Sequence, residues 1–204
     1  MIVLLQSNIF LKYDTVAVYE NFWVLFYLIS LYVIKRGWFL SPILYVLAVF
    51  TKAYVAPFFI MTLFITYRSK ISTRIKLTIL LSYVIIVLVV IVSIFAGETL
   101  YPQVFELDPS RFLLGFAATA FQFRSDLFIL VMLLPVSVWL FILAKNRLKE
   151  ADSILFLIFG TILAGPVVVM MTYFYEVLPY RLIPLIVFVA IGIGLFFSKR
   201  SKVS

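Results

Sequence analysis

Residues 38–67 read WFLSPILYVLAVFTKAYVAPFFIMTLFITY, thirty residues in which Lys52 is the only charge. As one straight helix this stretch would rise about 45 Å, against about 30 Å of hydrocarbon in a bilayer. Lys52 would then sit near the bilayer centre, at about 2.5–3.5 kcal/mol on insertion scales. Pro57 follows five residues later and breaks the ladder of backbone hydrogen bonds. Two shorter helices, Trp38–Thr51 and Ala53–Tyr67, meeting at Lys52, remove both problems.

The neighbouring runs are simpler. Thr15–Ile34 is apolar apart from Glu20 and Asn21. Leu77–Gly97, Leu127–Ala144, Ser153–Tyr175 and Leu182–Ser198 carry no charge at all. Each has a length that a helix needs to cross hydrocarbon. Lipid offers the backbone no partners, so such runs must bond internally as helices. They do not alternate apolar and polar residues, which excludes a membrane barrel.

Charge placement then orients them. With a hairpin at Lys52, Lys35/Arg36, Arg68/Lys70/Arg74/Lys76, Lys145/Arg147/Lys149 and Lys199/Arg200/Lys202 share one face. That is 12 of the 17 basic residues, with only Glu150 and Asp152 beside them. Asp14, Glu98, Glu106, Asp108, Asp126 and Glu176 fall opposite, with Lys12, Lys52, Arg111, Arg124 and Arg181. The positive-inside rule is met at every loop. The expected fold is an all-α, polytopic transmembrane bundle of about seven segments, two of them short, N-terminus out and C-terminus in. Residues 1–204 form a single transmembrane helical domain in this reading, located in the cell membrane.

Composition agrees. Of 204 residues 65% are hydrophobic and 13% charged, with mean hydropathy +1.19. A soluble domain is about half apolar and a quarter charged. The net charge of +8 has no RNA-binding signature beside it, so its expected partners are membrane lipids and not nucleic acid. The absence of Cys and His removes disulfides, thiolate and imidazole metal sites, and His-based acid–base chemistry. No cofactor is evident, no metal site is assigned, and a divalent-metal requirement is left open. Met1–Leu5 lacks the basic leader of a signal peptide.

The long outer loop, 98–126, opens with the turn signals Tyr101-Pro102 and Asp108-Pro109. It continues into Phe112–Phe123, an apolar and aromatic stretch suited to an amphipathic helix in the outer interface. Ala190-x3-Gly194 reads as a close-packing pair on the last helix. Tyr32, Trp38, Tyr67, Tyr101, Tyr173 and Tyr175 read as belt residues at the membrane surface.

Several outer residues carry two readings. Lys52 either snorkels to the headgroups or holds a phosphate at a cavity mouth, with Thr51 and Tyr54 able to support either. In Glu176-Val-Leu-Pro-Tyr-Arg181 the charges are either solvated or form a substrate site. There Arg181 would be a fork for a lipid-linked phosphate and Tyr180 a sugar or lipid contact. Asp14 and Glu20 either complement a helix dipole or act as base and ligand. Arg111 is by default a solvated or headgroup-bound charge.

Leu11–Phe64 resembles the middle of GT-C-type polyprenyl-phosphate-dependent glycosyltransferases. The resemblance rests on Tyr13-Asp14, Glu20-Asn21, Lys35-Arg36-Gly37, Thr51-Lys52-Ala53-Tyr54 and Pro57. Pro179-Tyr180-Arg181-Leu-Ile-Pro184 is similar to the entry of a late helix in that superfamily. Together they cover about a third of the chain. The resemblance implies an outer cavity receiving a polyprenyl-phosphate-linked sugar, with Lys52 and Arg181 facing it; Tyr54, Arg111, Glu176 and Tyr180 are the other candidate substrate-binding residues. The family's catalytic carboxylate lies in an earlier outer loop. The chain is therefore expected either to begin inside a longer protein or to be a shortened relative. Asp14 does not inherit the role. The rival readings are a non-catalytic membrane subunit of a larger complex and, third, a transporter, which would want mid-helix polar residues and an inverted repeat.

Overall fold

The computed structural model describes residues 4–14, 20–95, 107–146, 148–171 and 179–200. Every regular element among them is helical, and no strand occurs. In chain order the α-helices are α1 (Asn8–Asp14), α2 (Glu20–Val33), α3 (Leu40–Thr51), α4 (Phe59–Arg68), α5 (Thr73–Phe95), α6 (Arg111–Phe123), α7 (Leu127–Lys145), α8 (Lys149–Met171) and α9 (Ile183–Arg200). Short 3₁₀ turns occupy Leu4–Gln6, Ala53–Phe58 and Pro179–Leu182. Two helices among the described residues, Leu127–Lys145 and Lys149–Met170, are long and apolar enough to cross a membrane. The chain forms two compact units, Asn21–Glu106 and Met1–Glu20 with Leu107–Ser204.

The Asn21–Glu106 unit is built around the interruption at Lys52. That residue is extended, with φ −156° and ψ 119°, and its N–H closes the last turn of α3 on the Ala48 carbonyl. The 3₁₀ turn Ala53–Phe58 follows and α4 begins at Phe59. A broken helix leaves carbonyls without their usual amide donors, and a buried orphan costs about 1–3 kcal/mol. Tyrosines fill the gap. Tyr45 Oη donates to the Ala56 carbonyl at 3.0 Å, and Tyr27 Oη to Phe58 at 3.4 Å. Thr62 Oγ1 lies 3.2 Å from both the Tyr27 hydroxyl and the Phe58 carbonyl.

The same polar seam sets the helix directions. Ser41 Oγ donates to the Ser30 carbonyl at 2.8 Å, and the Tyr45 and Tyr27 rings are 6.4 Å apart, so α3 runs against α2. Phe58 stacks edge-on against both Trp23 and Tyr27, and Thr62 bonds Tyr27, so α4 runs with α2. Tyr83 of α5 closes the layer through Ser41 Oγ at 2.9 Å and the Tyr45 ring at 5.0 Å. Hence the α2–α3 and α4–α5 connections lie at one end.

In the other unit α6 packs along the second half of α8, and α7, α8 and α9 pack on one another. Two glycines set the first contact. A Cβ on Gly115 would lie 2.5 Å from Pro166 Cα, and one on Gly165 would lie 2.7 Å from Thr119 Oγ1. The α7–α9 approach is at Gly192, where a Cβ would meet Val136 at 3.0 Å and Leu140 at 3.2 Å. This corrects the expectation for Ala190-x3-Gly194, since nothing lies within 4 Å of a Cβ on Gly194. The helical period turns Gly192, and not Gly194, toward α7. The stretch expected to form an amphipathic segment is α6, and its buried face carries Gly115 and Gln122. Tyr101-Pro102, Tyr173 and Tyr175 lie outside the described residues.

Candidate functional site

Lys52 stands where the chain stops being α-helical and turns back. The residue is half-buried, its carbonyl accepts from Val55 N at 3.0 Å, and Thr51 Oγ1 before it bonds back to Leu47. Thr51 therefore supports its own helix end. Tyr54 belongs to the Ala53–Phe58 turn, and its side chain lies outside what is described. Both residues belong to the Asn21–Glu106 unit.

Arg181 is in the other unit, in the turn Pro179–Leu182 that leads into α9 and packs against α1, α6 and α9. The side chain is half-buried, and its Nε is enclosed without a hydrogen-bond partner. A guanidinium carries five donors in a planar fork, so one enclosed N–H still leaves the outer pair for an anion. Tyr180 shares the turn with its side chain undescribed, and Glu176 lies outside the described residues. Asp14 ends α1 and Glu20 starts α2; their side chains are likewise outside the description.

Arg111 is not a loose charge. It is the first residue of α6, and its Nε lies 2.9 Å from Asp108 Oδ2. Asp108 Oδ1 accepts from Ser110 Oγ at 2.6 Å and Ser110 N at 3.0 Å. These Ser110 bonds, with Arg111 adding its charge, hold the Asp108 carboxyl below its ordinary value. The Asp108 N–H in turn bonds the Met170 carbonyl at 2.9 Å, tying the start of α6 to the end of α8.

Asp126, read from sequence only as an outer-face charge, is 1% exposed. One carboxylate oxygen caps α7, accepting from Phe128 N at 3.0 Å and Ile129 N at 3.3 Å. The other accepts from Ser7 Oγ and, at 3.4 Å, from Ile9 N. Ser7 itself caps α1 through Phe10 N at 3.1 Å. One carboxylate thus faces the positive ends of two helices, which supply the compensation that burial requires. An Asp directly before an apolar run is a helix-start signal, so half of this role was there to be found.

A cavity of about 450 Å³ in the same unit is lined by Phe128, Met132, Trp139, Gly192 and Phe196, with Gln6 at its wall. Such a lining holds hydrocarbon and offers no reactive group. No group of three or more acidic residues placed to hold a metal ion occurs among the described residues. No family model, curated protein or solved structure matches the chain.

Proposed function

We propose that the chain is a multi-pass protein of the cell membrane, with seven membrane segments, N-terminus outside and C-terminus inside. We infer further that it is a GT-C-like glycosyltransferase portion or subunit, which receives a polyprenyl-phosphate-linked sugar on the outer face. The membrane part is supported by α7 and α8 and by the outward apolar side chains of α7. Leu134 is 74% exposed, and Val131 and Phe141 are above 60%. In water such a surface would drive association.

The observation that carries the glycosyltransferase reading is the helix break at Lys52, the position that the resemblance gives to its lysine. A lysine at the end of a short helix presents an ammonium to a phosphate as a point charge. The resemblance gives Arg181 a phosphate-binding role as well, and Tyr54, Tyr180 and Glu176 are the further substrate-binding candidates of this reading.

The test is retention of a radiolabelled short-chain polyprenyl-phosphate sugar by the purified chain in detergent. Retention is expected to fall at least tenfold in Lys52→Ala and Arg181→Ala, and addition of EDTA then Mg²⁺ reads any metal requirement. Retention unchanged in the double variant sinks the site assignment. The ion pair of Arg111 with Asp108, an outer cation satisfied locally, favours the second reading, a lipid-binding subunit of a larger membrane complex. For that reading, affinity purification from membranes recovers a stoichiometric partner, and the labelled sugar is not retained. A transporter ranks third.

A further inference from the structure

The Asn21–Glu106 unit gathers six of its seven basic residues at one end, all but Lys52. The parallel course of α2 and α4, set by Phe58 and Thr62 against Trp23 and Tyr27, brings Lys35 and Arg36 level with the end of α4. Arg68, Lys70, Arg74 and Lys76 follow there, across the connection into α5. From Asn21 to Phe95 the sequence contains no Asp or Glu. Six basic residues therefore meet no carboxylate from this stretch.

A second, independent feature marks the same end. Tyr32, Trp38, Phe39 and Tyr67 are all exposed there, at 60, 37, 58 and 70%. The cations are arranged on those rings. The Arg36 guanidinium sits 4.9 Å above the Tyr32 ring. Lys76 Nζ lies 5.8 Å from the Tyr67 ring centre and donates to the Tyr67 carbonyl at 2.7 Å. Lys35, Lys70 and Arg74 are exposed beside them. Amphipathic rings prefer the depth where acyl chains give way to headgroups, and ammonium and guanidinium groups reach just beyond it.

We propose that this end of the unit is a docking surface for anionic phospholipid headgroups, a phosphodiester such as phosphatidylglycerol being the chemistry that fits. The aromatic ring sets the depth, and the exposed cations Lys35, Arg36, Lys70 and Arg74 select negative over zwitterionic lipid. The proposal rests on the membrane reading but not on glycosyl transfer. Resistance of the chain to carbonate extraction tests the membrane reading separately.

The experiment uses the purified full chain in neutral detergent, titrated with dioctanoyl phosphatidylglycerol, dioctanoyl phosphatidylcholine, inorganic phosphate or a single-stranded RNA homopolymer. Binding is read by tryptophan fluorescence and by native mass spectrometry. Phosphatidylglycerol is expected to bind at least tenfold more tightly than phosphatidylcholine, and to weaken as salt rises. Each cation near an anionic lipid surface is worth about fivefold. K35Q/R36Q/K70Q/R74Q should therefore lose at least tenfold in phosphatidylglycerol affinity with no change toward phosphatidylcholine. R36K/R74K, which keeps the charge, should retain it. If the fourfold variant does not fold, K35Q/R36Q and K70Q/R74Q are measured separately, each expected to lose severalfold. Equal binding of the two lipids, an unchanged variant, or phosphate or RNA binding as tightly as phosphatidylglycerol overturns the proposal.

Discussion

Replacing Gly115 by Ala tests whether α6 is seated on α8 by backbone contact. The new methyl would lie 2.5 Å from Pro166 Cα and 3.2 Å from both the Pro166 carbonyl oxygen and Val169 Cβ. Non-bonded carbons settle about 3.5–4.0 Å apart, so the two helices must separate by about 1 Å. The obstruction is main chain in a second helix, and no rotamer change relieves it. Overpacking costs about 1–3 kcal/mol, and a backbone clash belongs at the upper end. Against this, Ala exceeds Gly in a helix interior by about 1 kcal/mol. The clash wins, and the net loss is about 2 kcal/mol. For a chain of this size that lowers Tm by about 4–8 °C. Thermal unfolding of the purified chain in one detergent, followed by near-UV circular dichroism, measures it. Gly194→Ala is the control, since it meets nothing within 4 Å and keeps only the helix-propensity gain. Gly165→Ala meets Thr119 Oγ1, a side-chain atom that can turn away, and should fall between the two. A Gly115→Ala protein that melts at or above its parent would falsify the α6–α8 contact as described.

Three further outcomes follow from the same geometry. Asp126→Ala strips a cap and leaves buried donors at Phe128, Ile129 and Ser7, so it should cost at least about 3 kcal/mol. Asp126→Asn keeps an acceptor for α7 and should cost less than half of that by the same melt. Tyr45→Phe removes the donor to the Ala56 carbonyl and should lower stability by about 1 kcal/mol, whereas Tyr32→Phe, at an exposed site, should change nothing measurable. Asp108 has a depressed folded-state value, so its contribution at the start of α6 is present above the unfolded carboxylate range and lost as pH falls through the folded value. The Asp108 carboxyl carbon should therefore show its NMR titration step below about pH 3.9. A step at or above that value contradicts the Ser110 and Arg111 contacts.

The apolar runs disclosed the helices because long runs without apolar–polar alternation do not suit strands, and Lys52 with Pro57 disclosed the interruption because a proline breaks the helical ladder. What fills the interruption was not legible. Tyr27, Tyr45 and Tyr83 look like any other aromatics in an apolar run, and only the folded chain sets their hydroxyls beside the Phe58 and Ala56 carbonyls and Ser41. Gly115 carried no visible pattern because its partner is Pro166, on another helix. Of the residues singled out, Lys52 marked the helix break by its charge, while the local pairing of Arg111 depends on a helix starting at that residue.

The link between Ser7 and Asp126 spans 119 residues of sequence, and the whole Asn21–Glu106 unit is encoded between them. During synthesis at about 5–20 residues per second, roughly 6 to 24 s separate the two ends of that bond. For that interval α1 has its own serine cap but not the carboxylate it docks on. The inserted unit is therefore made, and its tyrosine seam can close, before the flanking unit has its last partner. Order of manufacture and order of assembly run opposite here: α1 is translated before the inserted unit, yet its bond to Asp126 forms only after that unit is made.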